Sequence, residues 1–96
     1  MNPMDKYSIE CNQIIDVCKR LYDRNMLAAA DGNISLRVEE GLLITPSGKA
    51  KAFCKPEDIC LVTLDNEVLY GTPSSERLMH LAVYNHTESA QAVVHA

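Results

Sequence analysis

Three short polar segments hold the side chains of this sequence best suited to chemistry: Gly32-Asn33-Ile34-Ser35, Thr45-Pro46-Ser47-Gly48 and Pro73-Ser74-Ser75-Glu76. Each joins hydroxyl or amide groups to a Gly or Pro where one regular element gives way to the next. Loops of this kind can turn backbone N–H groups and hydroxyls toward a phosphate, and a helix N-terminus beside them adds a partial positive charge. Each also has a purely local reading. Asn33 can sit in a turn, Ser47-Gly48 can be a turn, and Ser74 or Ser75 can cap a helix. None of the three is the Gly-rich loop with a terminal Lys and Ser/Thr that marks nucleotide triphosphatases, and none is a dinucleotide fingerprint.

Among titratable residues, Glu76 falls in the first turn of the helix that follows its loop. The helix dipole favours a carboxylate there, and the same carboxylate could serve as a general acid/base beside a metal or a phosphate. His80 and His86 are six apart on that helix, about 240° around it, so they face no common ligand and read as ordinary helix residues. His95 ends an apolar run, where only function or a specific hydrogen bond favours imidazole; a zinc site needs three or four donors, and no partner at ligand spacing follows it. Cys11 and Cys18 are seven apart, and Cys54 and Cys60 six apart, neither a zinc-knuckle nor a CxxC spacing. The four read as reduced, buried thiols of a cytosolic protein.

These residues need elements to hold them. Tyr7, Cys11, Ile14, Ile15, Cys18, Leu21 and Tyr22 recur at steps of three and four, which predicts an amphipathic helix from Asp5 to about Met26. Ala28 to Asn33 is a small-residue connection. Ile34, Leu36 and Val38 alternate with Ser35 and Arg37 as in a half-buried strand, and Glu39-Glu40-Gly41 turns into Leu42 to Thr45, a β-hairpin. Lys55 to Asp58 is a short helical turn with Pro56 at its first position. Strands over Ile59 to Thr63 and Glu67 to Tyr70 follow, then a helix from Ser74 to about His86 burying Leu78, Leu81, Ala82 and Val83, and a buried strand from Ala92 to His95.

The chain has 96 residues, 47% of them hydrophobic, and a formal charge of −4. That length allows one domain at most. The composition excludes disorder, and the acidic balance excludes a chain built to coat nucleic acid. No run approaches the roughly 18 apolar residues of a membrane span, and the N-terminus carries no secretory signal pattern. Helix, hairpin, two strands, helix, strand amounts to half of a layered α/β domain, so the chain reads as truncated.

The order of these pieces resembles the class II, zinc-dependent sugar-phosphate aldolases, the family of L-fuculose-1-phosphate aldolase. The resemblance is carried by the leading helix, Gly32-Asn33-Ile34-Ser35-Leu36-Arg37, Leu43-Ile44-Thr45-Pro46-Ser47-Gly48, Pro73-Ser74-Ser75-Glu76 and Ala92-Val93-Val94-His95-Ala96. It implies a three-layer α/β/α fold with a mixed, mostly antiparallel sheet, with residues 1–96 as the N-terminal part of a single domain. It further implies that Gly32, Asn33, Ser47, Gly48, Ser74 and Ser75 grip the substrate phosphate. Glu76 would move the proton on the carbon next to the carbonyl and could approach the metal, and His95 would be the first of two zinc histidines in a His-x-His pair.

By the same resemblance the cofactor is Zn2+, one divalent ion per site acting as a Lewis acid. The ligand set in this chain is incomplete, so the 96 residues alone are expected to bind zinc poorly and catalyse little. The implied partners are a phosphorylated sugar and further copies of the chain in a cytoplasmic homotetramer, with no nucleic acid and no membrane. Aldol cleavage of a ketose 1-phosphate to dihydroxyacetone phosphate and an aldehyde is the favoured reaction, because the epimerase branch has Asp where this chain has Glu76. A dehydratase, decarboxylase or epimerase of the same family, a non-catalytic adducin-like assembly domain, and a phosphate-binding module without chemistry are the alternatives.

Overall fold

In the computed structural model, which describes residues 2–24, 32–48 and 54–95, the stripe Tyr7, Cys11, Ile14, Ile15 and Cys18 winds into helix α1 (Met4–Asp23) and is buried along its length. The helix ends before the expected Met26. Residues 25 and 26, and the part of the expected connection that precedes Gly32, lie outside the described residues. Near its start, α1 is tied to the turn at the end of the first strand. Lys6 Nζ donates to Glu39 at 2.9 Å and to Glu40 at 3.2 Å, and the Tyr7 hydroxyl donates to Glu40.

Strands β1 (Asn33–Val38) and β2 (Gly41–Ile44) form the expected hairpin, with Val38 opposite Gly41. Gly41 has φ +154°, and a Cβ there would lie 2.2 Å from the Val62 carbonyl oxygen, so the neighbouring strand admits only glycine at this point. A 3-10 turn (Pro56–Asp58) follows, with the Lys55 N–H donating to the Asp58 carboxylate at 2.9 Å. Then come β3 (Cys60–Thr63), β4 (Val68–Tyr70), helix α2 (Arg77–His86) and β5 (Ala92–His95). The sheet order is β4-β3-β2-β1-β5, and every pairing among the described strands is antiparallel. The parallel pairing of a mixed sheet is not among them.

Side chains alternate across a strand, so the sheet offers two faces. Ile34, Leu43 and Leu61 meet α1, while Leu42, Ile44, Cys60 and Val62 meet Leu81 and Tyr84 of α2. Helix, sheet, helix is the expected three-layer arrangement. Two sequence expectations need correction. Helix α2 buries His80, Leu81 and Tyr84, whereas Leu78 is 62% exposed and Ala82 is exposed. Counting apolar residues alone chose the wrong stripe, because the sheet surface facing α2 includes the polar Ser35 and favours polar side chains opposite it. Strand β5 is also mostly exposed rather than buried, with Val94 at 52%.

Arg37 joins the layers. Its guanidinium donates to the carbonyls of Ala90 (2.8 Å), Tyr84 (2.9 Å) and Thr87 (3.1 Å), and it stacks over the Tyr84 ring 4.9 Å from the centroid. A cation thus satisfies the carbonyls left open where α2 ends. The four cysteines are buried thiols, as expected. Burial pushes Cys11 and Cys60 up to about 11, so both stay protonated and unreactive near neutral pH.

Candidate functional site

The three polar segments, far apart in sequence, meet at one end of the sheet, and Thr45 is where they join. Its side chain is fully buried. Thr45 Oγ1 accepts the Ile34 N–H at 3.3 Å, and the Thr45 N–H donates to the Ile34 carbonyl at 3.1 Å. In turn the Ser74 N–H donates to the Thr45 carbonyl at 3.1 Å, and the Ser47 N–H donates to the Thr72 carbonyl at 2.9 Å. Pro46 and Pro73 face each other in an isolated bridge between the same two loops. Backbone hydrogen bonds therefore hold the 45–48 loop between the start of β1 and the approach to α2. From sequence alone Thr45 is one member of the second loop, with nothing in its type to show this role.

The expected site residues lie on the three segments joined here. Ser74 is buried, and its hydroxyl accepts the Glu76 N–H at 3.1 Å, a turn bond just ahead of α2 rather than the helix cap the sequence suggests. Ser47, Gly48 and Ser75 are exposed, while Gly32 is partly buried. Gly32 and Gly48 have φ of +83° and +70°, the left-handed region where glycine carries no steric cost. Glu76 occupies the N-cap position of α2, one residue before the helix proper, with no side-chain capping bond. Its exposed carboxylate is therefore not committed to the helix. Arg77 braces the same turn by donating to the Ser74 carbonyl at 3.3 Å and to Asn66 Oδ1 at 2.8 Å.

His95 pairs with Asn33 across the β1–β5 ladder, which puts it on the α2 side of the sheet next to the first loop. Its positive charge, when present, opposes protonation of His80, so the two imidazoles share one electrostatic neighbourhood. Among the described residues no group of three His, Cys, Asp or Glu side chains could hold a metal ion. His95 and Glu76, the two expected donors, would in any case fall short of the three or four that zinc takes from a protein, so the described residues do not by themselves fit the ion.

One residue at this site was misread from sequence. His80 is fully buried, with its Nε2 against Asn33 Oδ1 and its Nδ1 2.6 Å from Ser35 Oγ, which in turn lies 2.7 Å from the Tyr84 hydroxyl. Burial, with His95 nearby, lowers its pKa to about 4, so the ring is neutral at ordinary pH. A signal was present. Asn33 and Ser35 share one face of β1, and His80 and Tyr84 share one face of α2, so strand and helix periods point polar groups at each other.

This three-layer arrangement of helix, antiparallel sheet and helix is the fold of the class II aldolases. The chain belongs to the class II aldolase and adducin N-terminal domain family, which matches residues 12–96. It is 38% identical over 87 residues to an L-fuculose phosphate aldolase of Methanococcus maripaludis, covering 91% of this chain and 48% of the relative. A methylthioribulose-1-phosphate dehydratase of Methylococcus capsulatus is 34% identical over 92 residues, covering 94% of this chain and 45% of the relative. Among solved structures, YgbL of Escherichia coli superposes with a TM-score of 0.85 at 32% identity, covering 88% of this chain and 42% of that one. The chain spans about half the length of the curated relatives it matches.

Proposed function

We propose that these residues are the phosphate-gripping and proton-moving part of an aldolase that cleaves a ketose 1-phosphate, such as L-fuculose 1-phosphate, to dihydroxyacetone phosphate and an aldehyde. The observation that carries this reading is the junction at Thr45. Bonds there tie Ile34 and Ser74 to Thr45 and Ser47 to Thr72, which supports reading Gly32-Asn33, Ser47-Gly48 and Ser74-Ser75 as one phosphate site with Glu76, uncommitted at the start of α2, as its proton carrier. Backbone amides, hydroxyls and a helix terminus are suited to a phosphate dianion. Holding the phosphate fixes the reacting carbons relative to Glu76, and such positioning can supply several kcal/mol of rate. Carbon–carbon cleavage turns the hydroxyl of the departing carbon into the aldehyde carbonyl, its proton passing to solvent, and leaves the bonding electron pair on the carbon next to the ketone; Glu76 relays to that carbon a proton drawn from solvent.

The Zn2+ requirement is part of this proposal, with His95 and Glu76 as the donors this chain would contribute to an incomplete set; no step above depends on the ion. A cytoplasmic homotetramer is also part of the proposal. Relatives named as a dehydratase and a decarboxylase support a second reading, a different reaction on the same kind of phosphorylated sugar. The test is zinc-supplemented turnover of L-fuculose 1-phosphate by the full-length protein, with dihydroxyacetone phosphate followed by a coupled reductase. Glu76→Gln is expected to lower kcat by about 10²–10⁴ with KM little changed. Loss of water or carbon dioxide from a sugar phosphate, without cleavage, would transfer the proposal to the second reading. No turnover of any phosphorylated sugar would sink both.

A further inference from the structure

Asn33 belongs to the first loop, yet only 3% of its surface is exposed, and its carboxamide oxygen is engaged by His80. That oxygen has no hydrogen to give, so His80 Nε2 must be the donor. A neutral imidazole carries a single N–H. Nδ1 is therefore bare and accepts the Ser35 hydroxyl hydrogen across 2.6 Å. The Ser35 oxygen then accepts from the Tyr84 hydroxyl across 2.7 Å. Every hydrogen in the chain runs one way, from Tyr84 to Ser35 to His80 to Asn33. Reversing the chain would turn the Asn33 amide inward and leave the Tyr84 hydrogen without this acceptor.

We propose that His80 is a positioning residue: through this one-way chain it fixes the Asn33 carboxamide with its oxygen inward, so that the Nδ2 hydrogens are the donors offered to a phosphate at the loops. The inference rests on reading Asn33 as a phosphate ligand. It goes further by making the side of the amide that meets the phosphate depend on a histidine, a serine and a tyrosine that form the buried side of the site. All three are held by the packing of α2 on the sheet, so the orientation of a loop residue is set by the layer beneath it.

The test uses NMR of the isotope-labelled protein together with titration of inorganic phosphate. In the wild type, His80 is expected as the Nε2–H tautomer, with the Asn33 side-chain amide in one sharp, slowly exchanging pair. His80→Gln keeps a donor toward Asn33 and should hold phosphate affinity near that of the wild type. His80→Leu should weaken it about tenfold, as much as Asn33→Ala does. Ser35→Ala, a small change that leaves Nδ1 without its donor, should mix the tautomers and broaden the Asn33 pair. A wild-type Nδ1–H tautomer would overturn the proposal. So would unchanged affinity in His80→Leu alongside weakened binding in Asn33→Ala, a result that leaves Asn33 as a phosphate ligand. If the wild type binds no phosphate, the phosphate reading fails by itself, and the tautomer and the Asn33 signals still decide whether His80 orients the amide. Should His80→Leu not fold, Ser35→Ala and His80→Gln carry the test.

Discussion

Beneath α1 the sheet presents Ile34, Leu43 and Leu61, and the helix answers with Tyr7, Cys11, Ile14, Ile15 and Cys18. Beneath α2 the apolar Leu42, Ile44, Cys60 and Val62 share the surface with Asn33, Ser35 and Arg37, and the helix answers with His80 and Tyr84 as well as Leu81. One face is held by burial of apolar area, which is non-directional. The other adds hydrogen bonds that work only in one geometry, and that is the face turned toward the loop junction. A buried polar network of this kind specifies orientation, at the cost of being expensive to leave half-made. In this domain, then, the layer needed for support and the layer needed for precision are different helices.

Adjacent residues of β2 allow the sharpest contrast. Leu43 points to α1 and Leu42 to α2, and both are fully buried. Truncating either to alanine is expected to cost about 2–5 kcal/mol, the range for a cavity in a packed core, measured by urea unfolding. Only Leu42→Ala should also move the His80 ring nitrogen shifts, because it loosens the seat of α2. Equal disturbance of His80 by both variants would mean that the two faces are not independent.

The next effect is smaller and depends on pH. His80 has a folded pKa of about 4 against 6.5 for a free imidazole. Between these values the unfolded chain binds the extra proton and the folded chain does not. Stability should therefore fall as pH drops from about 6.5 toward 4, by up to about 1.4 kcal/mol per pH unit, and this contribution should be flat above that window. His80→Gln should remove the slope. Near α1 the acid-sensitive group is Glu40, whose carboxyl is held below its ordinary value by the hydrogen bond from Tyr7 and by Lys6. Its contribution is present above about 4.5 and is lost only as pH falls further, so it should survive in the His80 variant. Urea midpoints across pH for both proteins separate the two groups.

How much of this was legible in sequence follows the same division. The apolar stripe of α1 and the alternation along β1 identified the first layer, because burial leaves a periodic mark on residue type. The three loops were legible as candidates through Asn, Ser, Gly and Pro, but their meeting was not derivable from the residues. The bonds that gather them at Thr45 are largely between backbone groups, and every residue type carries those. His80 was lost for a different reason. A histidine between Met79 and Leu81 reads as an ordinary helix residue until Ser35 and Asn33 are known to lie across from it, and counting apolar residues alone points to Leu78 and Ala82 instead. The exposure of β5 was missed because valines in a row read as burial, although a strand at the end of a sheet order has a neighbour on one side only.

The smallest expected effect tests whether α1 is anchored by apolar contact. Lys6 reaches Glu39 at 2.9 Å and Glu40 at 3.2 Å, and on distance alone this is the best ion-pair cluster of the described residues. Yet the Lys6 side chain is 44% exposed and Glu39 80% exposed, so water screens both charges and holding the long side chains costs entropy. Glu40 also keeps the Tyr7 hydroxyl as a partner when the lysine is gone. Lys6→Met, which retains the aliphatic stem, should leave the thermal midpoint close to that of the wild type, with the residual difference disappearing in high salt. A loss comparable to that of Leu43→Ala, persisting in salt, would mean that charge and not packing fixes the start of α1 on the hairpin, and the contrast between the two faces would have to be redrawn.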